Sequence, residues 1–360
     1  MHILHVVGAR PNFMKAAPVV RALAQRPGVR QTLVHTGQHY DFNMSDVFFQ
    51  QLEIPAPDVN LQAGSGSHAQ QTAEIISRFE PVILERKPDC VLVYGDVNST
   101  VAAALVCSKL MVPIGHVEAG LRSFDRAMPE EINRLLTDQV ADLLFTPSAD
   151  GNENLAREGV APEKVHLVGN VMIDTLVRML PAARTHLPAD LPERYVLVTL
   201  HRPSNVDDLA WLGGMLNTLA GIASELPVWF PIHPRTRQRL ADAGISAEQF
   251  PGIRLLDPIP YLQFLGLQTR ATVVITDSGG IQEETTFLGR PCLTVRENTE
   301  RPVTVDLGTN VLVGRDTNRV RQELECVLAG RFKKGAVPPL WDGKASERIA
   351  DVLTGGVARG

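Results

Sequence analysis

The sequence predicts an α/β protein made of two parallel-sheet domains facing a cleft. Short apolar runs alternate with helix-length segments along nearly the whole chain, which is the rhythm of strand–helix–strand crossovers. At 360 residues the chain exceeds what one hydrophobic core organises. The rhythm pauses once, from Leu176 to Arg194, where Pro181, Pro188 and Pro192 suggest a helix followed by a linker. We therefore expect a first domain over residues 1–175 and a second over 176–342, with a C-terminal helix within 343–360 packing back on the first. No sequence repeat is visible, yet both halves share the same rhythm, so two similar Rossmann-like sheets are expected.

In chain order, the expected strands of the first half are His2–Val7, Gln31–His35, Cys90–Tyr94, Ile114–Val117 and Leu143–Phe145. Those of the second half are Tyr195–Leu200, Val228–Ile232, Ile253–Leu255, Thr272–Thr276 and Pro291–Val295. The N-terminus, MHILHVVGARP, lacks the longer apolar core and small-residue cleavage site of a signal peptide, and no run reaches membrane-spanning length. A cytoplasmic protein without membrane attachment is the expectation. Cys90, Cys107, Cys292 and Cys326 show no C-x-x-C spacing, and Cys90 and Cys292 lie in or beside apolar runs, as core thiols do. Net charge is −5 with no long basic block, which argues against nucleic acid as a partner. A small anionic ligand remains open, because a few aimed cations and helix N-termini override the global balance locally.

Ligands of open parallel sheets bind beyond the carboxyl ends of the strands. The residues just after the apolar runs are unusually polar there: Arg10, Asp96, Glu118, His201, His233 and Asp277. Gly8-Ala9-Arg10-Pro11 is not a dinucleotide fingerprint, so Arg10 and Lys15 either hold a phosphate near a helix start or face solvent. Asp96, in Tyr94-Gly95-Asp96, is a candidate catalytic carboxylate or a turn residue capping the next helix, with Ser99 or Thr100 as its N-cap. Glu118 leaves a buried strand, the setting in which a carboxylate becomes a competent base, or else pairs with Arg122.

Pro129 opens a further helix, with Ile132, Leu135, Leu136 and Val140 as its expected buried stripe. Glu130 and Arg134 lie four apart on one face, either as a surface ion pair or with Glu130 as a second catalytic carboxylate. His201 and His233 sit at matching strand ends in the second half. The strongest local signal is Asp277-Ser278-Gly279-Gly280-Ile281-Gln282-Glu283-Glu284. Here a strand, a small-residue turn and a helix start either present backbone N–H groups suited to a diphosphate or simply make a tight strand–helix turn. Glu284 stands one turn inside to meet ribose hydroxyls, and Arg301 follows the next strand.

Taken together, the stretches GARPNFMKAAP, TGQHYD, VYGDVNST, GHVEAGLRSFDRAMPEEINR, LVGNVMID, LVTLHRPSN, PIHPRT, DPIPYLQF, TDSGGIQEE and RENTERP resemble the non-hydrolysing UDP-N-acetylglucosamine 2-epimerase family, in order from residue 8 to 302. The resemblance implies a glycosyltransferase-B type fold with UDP held mainly by the second domain. Ser278, Gly279 and Gly280 would bind the pyrophosphate and Glu284 the ribose. Main chain around Ile259 and Phe264 would meet uracil. Arg10, Lys15, His233 and Arg301 would contact phosphate or nucleotide, and Arg134 belongs to the same substrate-binding set. Asp96, Glu118, Glu130 and His201 would carry the proton chemistry.

The implied reaction is reversible C2 epimerisation of UDP-N-acetylglucosamine to UDP-N-acetylmannosamine, through anti elimination of UDP and re-addition, supplying sugars for cell-envelope polysaccharide. No metal and no cofactor is implied. A second UDP-sugar near Gln38, His39 and Gln70 as activator, and a homodimer, also follow from the resemblance. Two departures bear on substrate detail. Asn12 stands where many members read GTRPE, and Pro203-Ser204-Asn205 where many read HRREN. A diacetamido-uronate UDP-sugar epimerase, a hydrolysing epimerase and a glycosyltransferase of the same fold are the alternatives.

Overall fold

The computed structural model describes residues 1–37 and 52–355. The described residues divide into two compact units. One holds Met1–Thr175 together with the chain from Pro339 on, and the other holds Leu176–Pro338. The chain thus re-enters the first unit at Pro339, a few residues before the expected return at 343. Each unit is built on its own parallel sheet.

In the first unit the strands are β1 (His2–Val7), β2 (Arg30–His35), β3 (Val59–Asn60), β4 (Cys90–Tyr94), β5 (Ile114–Val117), β6 (Leu143–Thr146) and β7 (Val165–Leu167), in the sheet order β3-β2-β1-β4-β5-β6-β7. In the second they are β8 (Val196–Thr199), β9 (Val228–Pro231), β10 (Ile253–Leu256), β11 (Val273–Thr276), β12 (Cys292–Thr294) and β13 (Asn310–Leu312), in the order β10-β9-β8-β11-β12-β13. The direction of winding reverses between β1 and β4, and again between β8 and β11. At such switch points the loops diverge and leave a crevice at the strand ends.

β1 and β4 are buried at every residue, as a strand covered on both faces must be, which is why they read as unbroken apolar runs. Three strands were not expected from the sequence: β3, β7 and β13. The first two end the first sheet and the third ends the second, and each is only two or three residues long with a polar residue among them. A short edge strand half open to water needs no apolar run.

The helix Val171–Ala183, with Pro181 inside it, carries the chain from the first unit into the second. The C-terminal helix Ala345–Gly355 packs on Arg10–Ala24 within the first unit. Its start is held by Asp174, which accepts from the amides of Ala345 (3.0 Å) and Ser346 (2.7 Å) and from the Ser346 hydroxyl (2.6 Å). No helix of the described residues is long and apolar enough to cross a membrane. Cys90, Cys107 and Cys292 are buried free thiols, pushed up to about 12, 12 and 11 by burial and so inert near neutral pH.

The helix Pro129–Val140 overturns one expectation. Leu136 is exposed and Ile132, Leu135 and Val140 are only half-buried, while Glu131, Arg134, Thr137 and Asp138 face the core. Of the four apolar residues at helical spacing, Val140 packs against the apolar core of the first unit, whereas Ile132, Leu135 and Leu136 lie on the outer face. What this helix packs against at the strand ends is a set of charges, so its inner face is polar.

Candidate active site

In the first unit, the turns after β4 and β5 lie side by side, since β4 and β5 are hydrogen-bonded neighbours. Asp96 follows β4. Its Oδ2 accepts from Arg134 Nε (3.0 Å) and Nη2 (2.6 Å), a two-pronged grip from the helix Pro129–Val140. Arg134 is itself buried and also donates from Nη1 to Glu131 Oε2 at 2.7 Å. Asp96 therefore does not cap the helix Asn98–Lys109. Its N-cap is Val97, with no side-chain cap, while Ser99 bonds to Thr36 and Thr100 to the Tyr94 carbonyl. The expected pairing of Glu130 with Arg134 is also not formed.

Glu118 follows β5 with a φ of 75°, in the left-handed region that a glutamate occupies only under constraint. Its carboxylate is buried and ion-paired with the equally buried Lys15 of the helix Arg10–Ala24. The alternative pairing with Arg122 is absent, because Arg122 is committed to Asp138 and Glu158, each at 2.7 Å. Gly95 is the backbone that passes over the Lys15–Glu118 pair. A Cβ there would stand 2.6 Å from Lys15 Nζ and 3.2 Å from Glu118 Oε2, and the residue has φ +63°. Only glycine fits on both counts.

Below these turns lies a cluster that sequence reasoning missed. His116, fully buried on β5, bonds through Nδ1 to Asp138 Oδ1 (2.6 Å) and through Nε2 to the Gly95 carbonyl (2.8 Å). The two ring nitrogens thus face one acceptor each. Asp138 also accepts from the Gly120 amide at 3.1 Å, and so ties together the two turns that present Asp96 and Glu118. Burial pushes the Asp138 carboxyl up, but His116 and Arg122 outweigh it and hold it below the usual carboxylate range. The spacing of Glu131, Arg134 and Asp138 is a helical stripe, which was the available signal. It went unread because the stripe is charged.

Glu130 is half-buried and lines a pocket of about 250 Å³ together with His68, Gln71, Asn98 and Asn133. Asn133 donates to the Asp96 carbonyl at 2.8 Å, which places this pocket beside the Asp96 turn. Gln70 is exposed and reciprocates the Ser67 cap of its helix, while its neighbour Gln71 faces the pocket. Gln38 and His39 lie outside the described residues. Arg10 is the first residue of the helix Arg10–Ala24.

In the second unit, β8, β9 and β11 bring His201, His233 and Asp277 to one end of the sheet. His201 is well exposed and its Nδ1 stands 2.8 Å from Asp277 Oδ1, while Asp277 is wholly buried. His233 is exposed and caps the helix Pro234–Asp242, its Nδ1 accepting from the Arg235 amide at 3.2 Å. Ser278 is the N-cap of the helix Gly279–Leu288 and makes no side-chain cap bond, so the helix N-terminus behind Gly279 and Gly280 is uncapped by side chains.

Arg301 is buried, paired with Glu283 at 2.7 Å and with Glu300, and lies against Gly279, where any Cβ would collide with its guanidinium. Glu284 is buried and accepts from Tyr261 Oη (2.8 Å) and Gln268 Nε2 (2.7 Å). Ile259 and Phe264 are half-buried against the cluster of Tyr195, Leu197 and Trp229, and the Phe264 amide already donates to the Pro260 carbonyl at 2.9 Å. Among the described residues no group of His, Cys, Asp and Glu is arranged to hold a metal ion.

A family profile described as UDP-N-acetylglucosamine 2-epimerase matches residues 21–354. The chain belongs to this epimerase family. It is 41% identical over 361 residues to the UDP-N-acetylglucosamine 2-epimerase of Methanococcus maripaludis, covering 97% of each chain. It is 43% identical over 356 residues to the UDP-2,3-diacetamido-2,3-dideoxy-D-glucuronate 2-epimerase of Pseudomonas aeruginosa, covering 98% of this chain and 99% of that one. Among solved structures, the UDP-GlcNAc 2-epimerase of Methanocaldococcus jannaschii in complex with UDP-GlcNAc and UDP superposes with a TM-score of 0.88 at 40% identity, over 99% of this chain and 100% of that one. The two Rossmann-like domains expected of the glycosyltransferase-B type are both present.

Within this epimerase, one departure from the family pattern, Asn12, is a structural pin, while Pro203 and Ser204 are exposed and Asn205 is the residue that the HRREN pattern also has. Asn12 Oδ1 accepts from the Gly8 and Ala9 amides, both at 3.1 Å, and its Nδ2 donates to the Tyr94 carbonyl at 2.7 Å. It thereby locks the turn after β1 to the end of β4. Asn205 is buried and donates to Asp277 Oδ2 at 3.0 Å.

Proposed function

We propose that this chain interconverts UDP-N-acetylglucosamine and UDP-N-acetylmannosamine by elimination of UDP across C1–C2 and re-addition. The observation that carries the reading is the pair of neighbouring turns after β4 and β5. Each presents one carboxylate held by its own cation, Asp96 by Arg134 and Glu118 by Lys15. Two carboxyl groups at fixed positions, one acting as base and the other as the returning acid, are what a reaction needs when a proton leaves one face of C2 and returns to the other.

The C2–H bond of the sugar is not acidic in the ground state. If C1–O cleavage leads, positive charge at C1 acidifies C2–H, the C2–H pair becomes the C1–C2 double bond, and the C1–O pair leaves on the diphosphate. Arg301 and the uncapped N-terminus at Ser278, Gly279 and Gly280 suit that diphosphate. Re-addition reverses these steps after protonation of C2 on the opposite face. In this reading Asp96, Glu118 and Glu130 serve as base and returning acid, and His201 assists at the leaving oxygen. Arg10 and His233 complete the anion contacts while Lys15, expected among them, instead holds Glu118. Glu284 with its Tyr261 and Gln268 partners meets the ribose, and the segment at Ile259 and Phe264 meets the base.

The polar pocket beside Asp96 suits a second UDP-sugar acting as activator, with Gln71 rather than Gln70 as its contact. The half-exposed apolar stripe of the helix Pro129–Val140 suits a homodimer. Proton NMR of the protein with UDP-N-acetylglucosamine in D2O tests the main reading. UDP-N-acetylmannosamine carrying deuterium at C2 is the expected product, and free N-acetylmannosamine with UDP would mean a hydrolysing enzyme instead. The 43% identity to the Pseudomonas aeruginosa epimerase favours one second reading, a diacetamido-uronate UDP-sugar as substrate. Exchange with that sugar and none with UDP-N-acetylglucosamine would select it.

A further inference from the structure

The end of β11 carries a buried acid whose whole environment consists of donors. Asp277 accepts from the His201 amide (3.2 and 3.1 Å to its two oxygens), the Arg202 amide (2.9 Å), Asn205 Nδ2 (3.0 Å) and the His201 ring at 2.8 Å. Burial pushes its carboxyl up, yet the hydrogen bond and charge of His201, with Asn205 and the Arg202 amide behind them, hold it below the usual carboxylate range. A carboxylate in this setting only accepts, so His201 Nδ1 must carry a hydrogen. Nε2 is then the ring nitrogen left for a ligand, on a side chain 61% exposed. Asp277 also immediately precedes Ser278-Gly279-Gly280, so the His201 ring is anchored beside the turn suited to the diphosphate.

We infer that Asp277 is the positioning residue of His201, fixing the imidazole in its Nδ1–H tautomer so that Nε2 addresses the oxygen that leaves C1. The inference rests on the function proposed above and assigns within it a residue that the motif match did not mark. When the C1–O bond breaks, its electron pair passes to the diphosphate oxygen. Nε2, free in the resting protein and protonated from solvent before the bond breaks, donates a hydrogen bond to that oxygen, and the carboxylate of Asp277 balances the imidazolium so formed. No proton reaches Asp277 at any step. A carboxylate serving an imidazole in this way is worth up to about 10⁴-fold in rate where it has been dissected in hydrolases, because its amide replacement favours the wrong tautomer.

The test compares Asp277→Asn, His201→Gln and the double variant, reading C2 deuterium exchange under saturating substrate and UDP affinity by calorimetry. Asp277→Asn is expected to slow exchange on the order of 10²–10⁴-fold while UDP affinity stays within about threefold. The double variant is expected to be no slower than His201→Gln, since residues acting as a unit are not additive. Multiplicative losses in the double variant would overturn the inference. So would loss of UDP binding in step with activity, because that is what a purely structural role produces. If Asp277→Asn does not fold, ¹⁵N NMR of the unmodified protein decides: protonated Nδ1 with free Nε2 supports the assignment, and the reverse tautomer overturns it. Absence of exchange in the unmodified protein would instead strike the proposed function and is thereby distinguishable.

Discussion

Removing either member of the Lys15–Glu118 pair should cost the first unit far more stability than removing both. Both side chains are buried, Lys15 on the helix Arg10–Ala24 and Glu118 after β5, and the Gly95 backbone closes over them. Glu118→Gln leaves the buried Lys15 ammonium without its counter-charge, and Lys15→Met removes the buried cation that faces the Glu118 carboxylate. Breaking a buried pair from one side costs about 3–5 kcal/mol, whereas replacing both charges by neutral groups of similar volume is often close to neutral. The two single variants should therefore sum to roughly 6–10 kcal/mol, against at most about 2 kcal/mol for the double. Native-state hydrogen exchange of the β4 and β5 amides is the suitable assay. It reads the opening of one unit by itself, and two units need not unfold together. Single losses below about 1 kcal/mol that simply add would refute the reasoning, since that is how a solvated surface pair behaves.

Other consequences can be checked on the same protein. Asp96→Asn should slow C2 exchange by about 10²-fold or more while UDP affinity survives, as expected of a residue that touches the sugar rather than the nucleotide. Gly95→Ala should lower stability by at least about 1–2 kcal/mol from its left-handed backbone alone, and should depress turnover further because its Cβ meets Lys15 and Glu118. His5 is buried between Tyr94 and Gln31, and burial lowers it to about 4. Its folded pKa lies below the unfolded value of about 6.5, so its share of stability is present above 6.5 and is lost as the pH falls toward 4. That loss is on the order of 3 kcal/mol and should be largely absent in His5→Gln when exchange-derived stability is followed across this window.

The sheet interiors were legible because burial on both faces leaves unbroken apolar runs, as in β1 and β4. The strand ends were legible because polar residues there interrupt those runs. Strands β3, β7 and β13 were not, since edge strands of two or three residues carry no such run. Partnership was the least legible property. Arg134 could be placed on a helix face with Glu130, but of its carboxylate partners Glu131 is the neighbour on the helix and Asp96 is 38 positions away, brought near by the β4–β5 pairing. Asp277 stood among the polar strand ends, yet its bond to His201 spans the sheet between β8 and β11.

The inverted face of the helix Pro129–Val140 follows from the same physics. A hydrophobic stripe buries itself only where its neighbour is also apolar. This helix sits over the carboxyl ends of β4 and β5, where Asp96 and His116 would be left in low dielectric without partners. Arg134 and Asp138 satisfy them, and Glu131 satisfies Arg134 together with the amides of Ser123 and Phe124 at 2.9 Å. An apolar inner face would strand those groups, each at a cost of several kcal/mol, which exceeds the roughly 1.5–3 kcal/mol that burying one leucine contributes. The electrostatics of the site therefore decide the orientation of the helix, and Ile132, Leu135 and Leu136 are turned outward as a consequence. Arg134→Leu, which restores an apolar inner position, should accordingly destabilise the first unit despite its greater hydrophobicity. A gain in β4 and β5 exchange protection in that variant would contradict the argument.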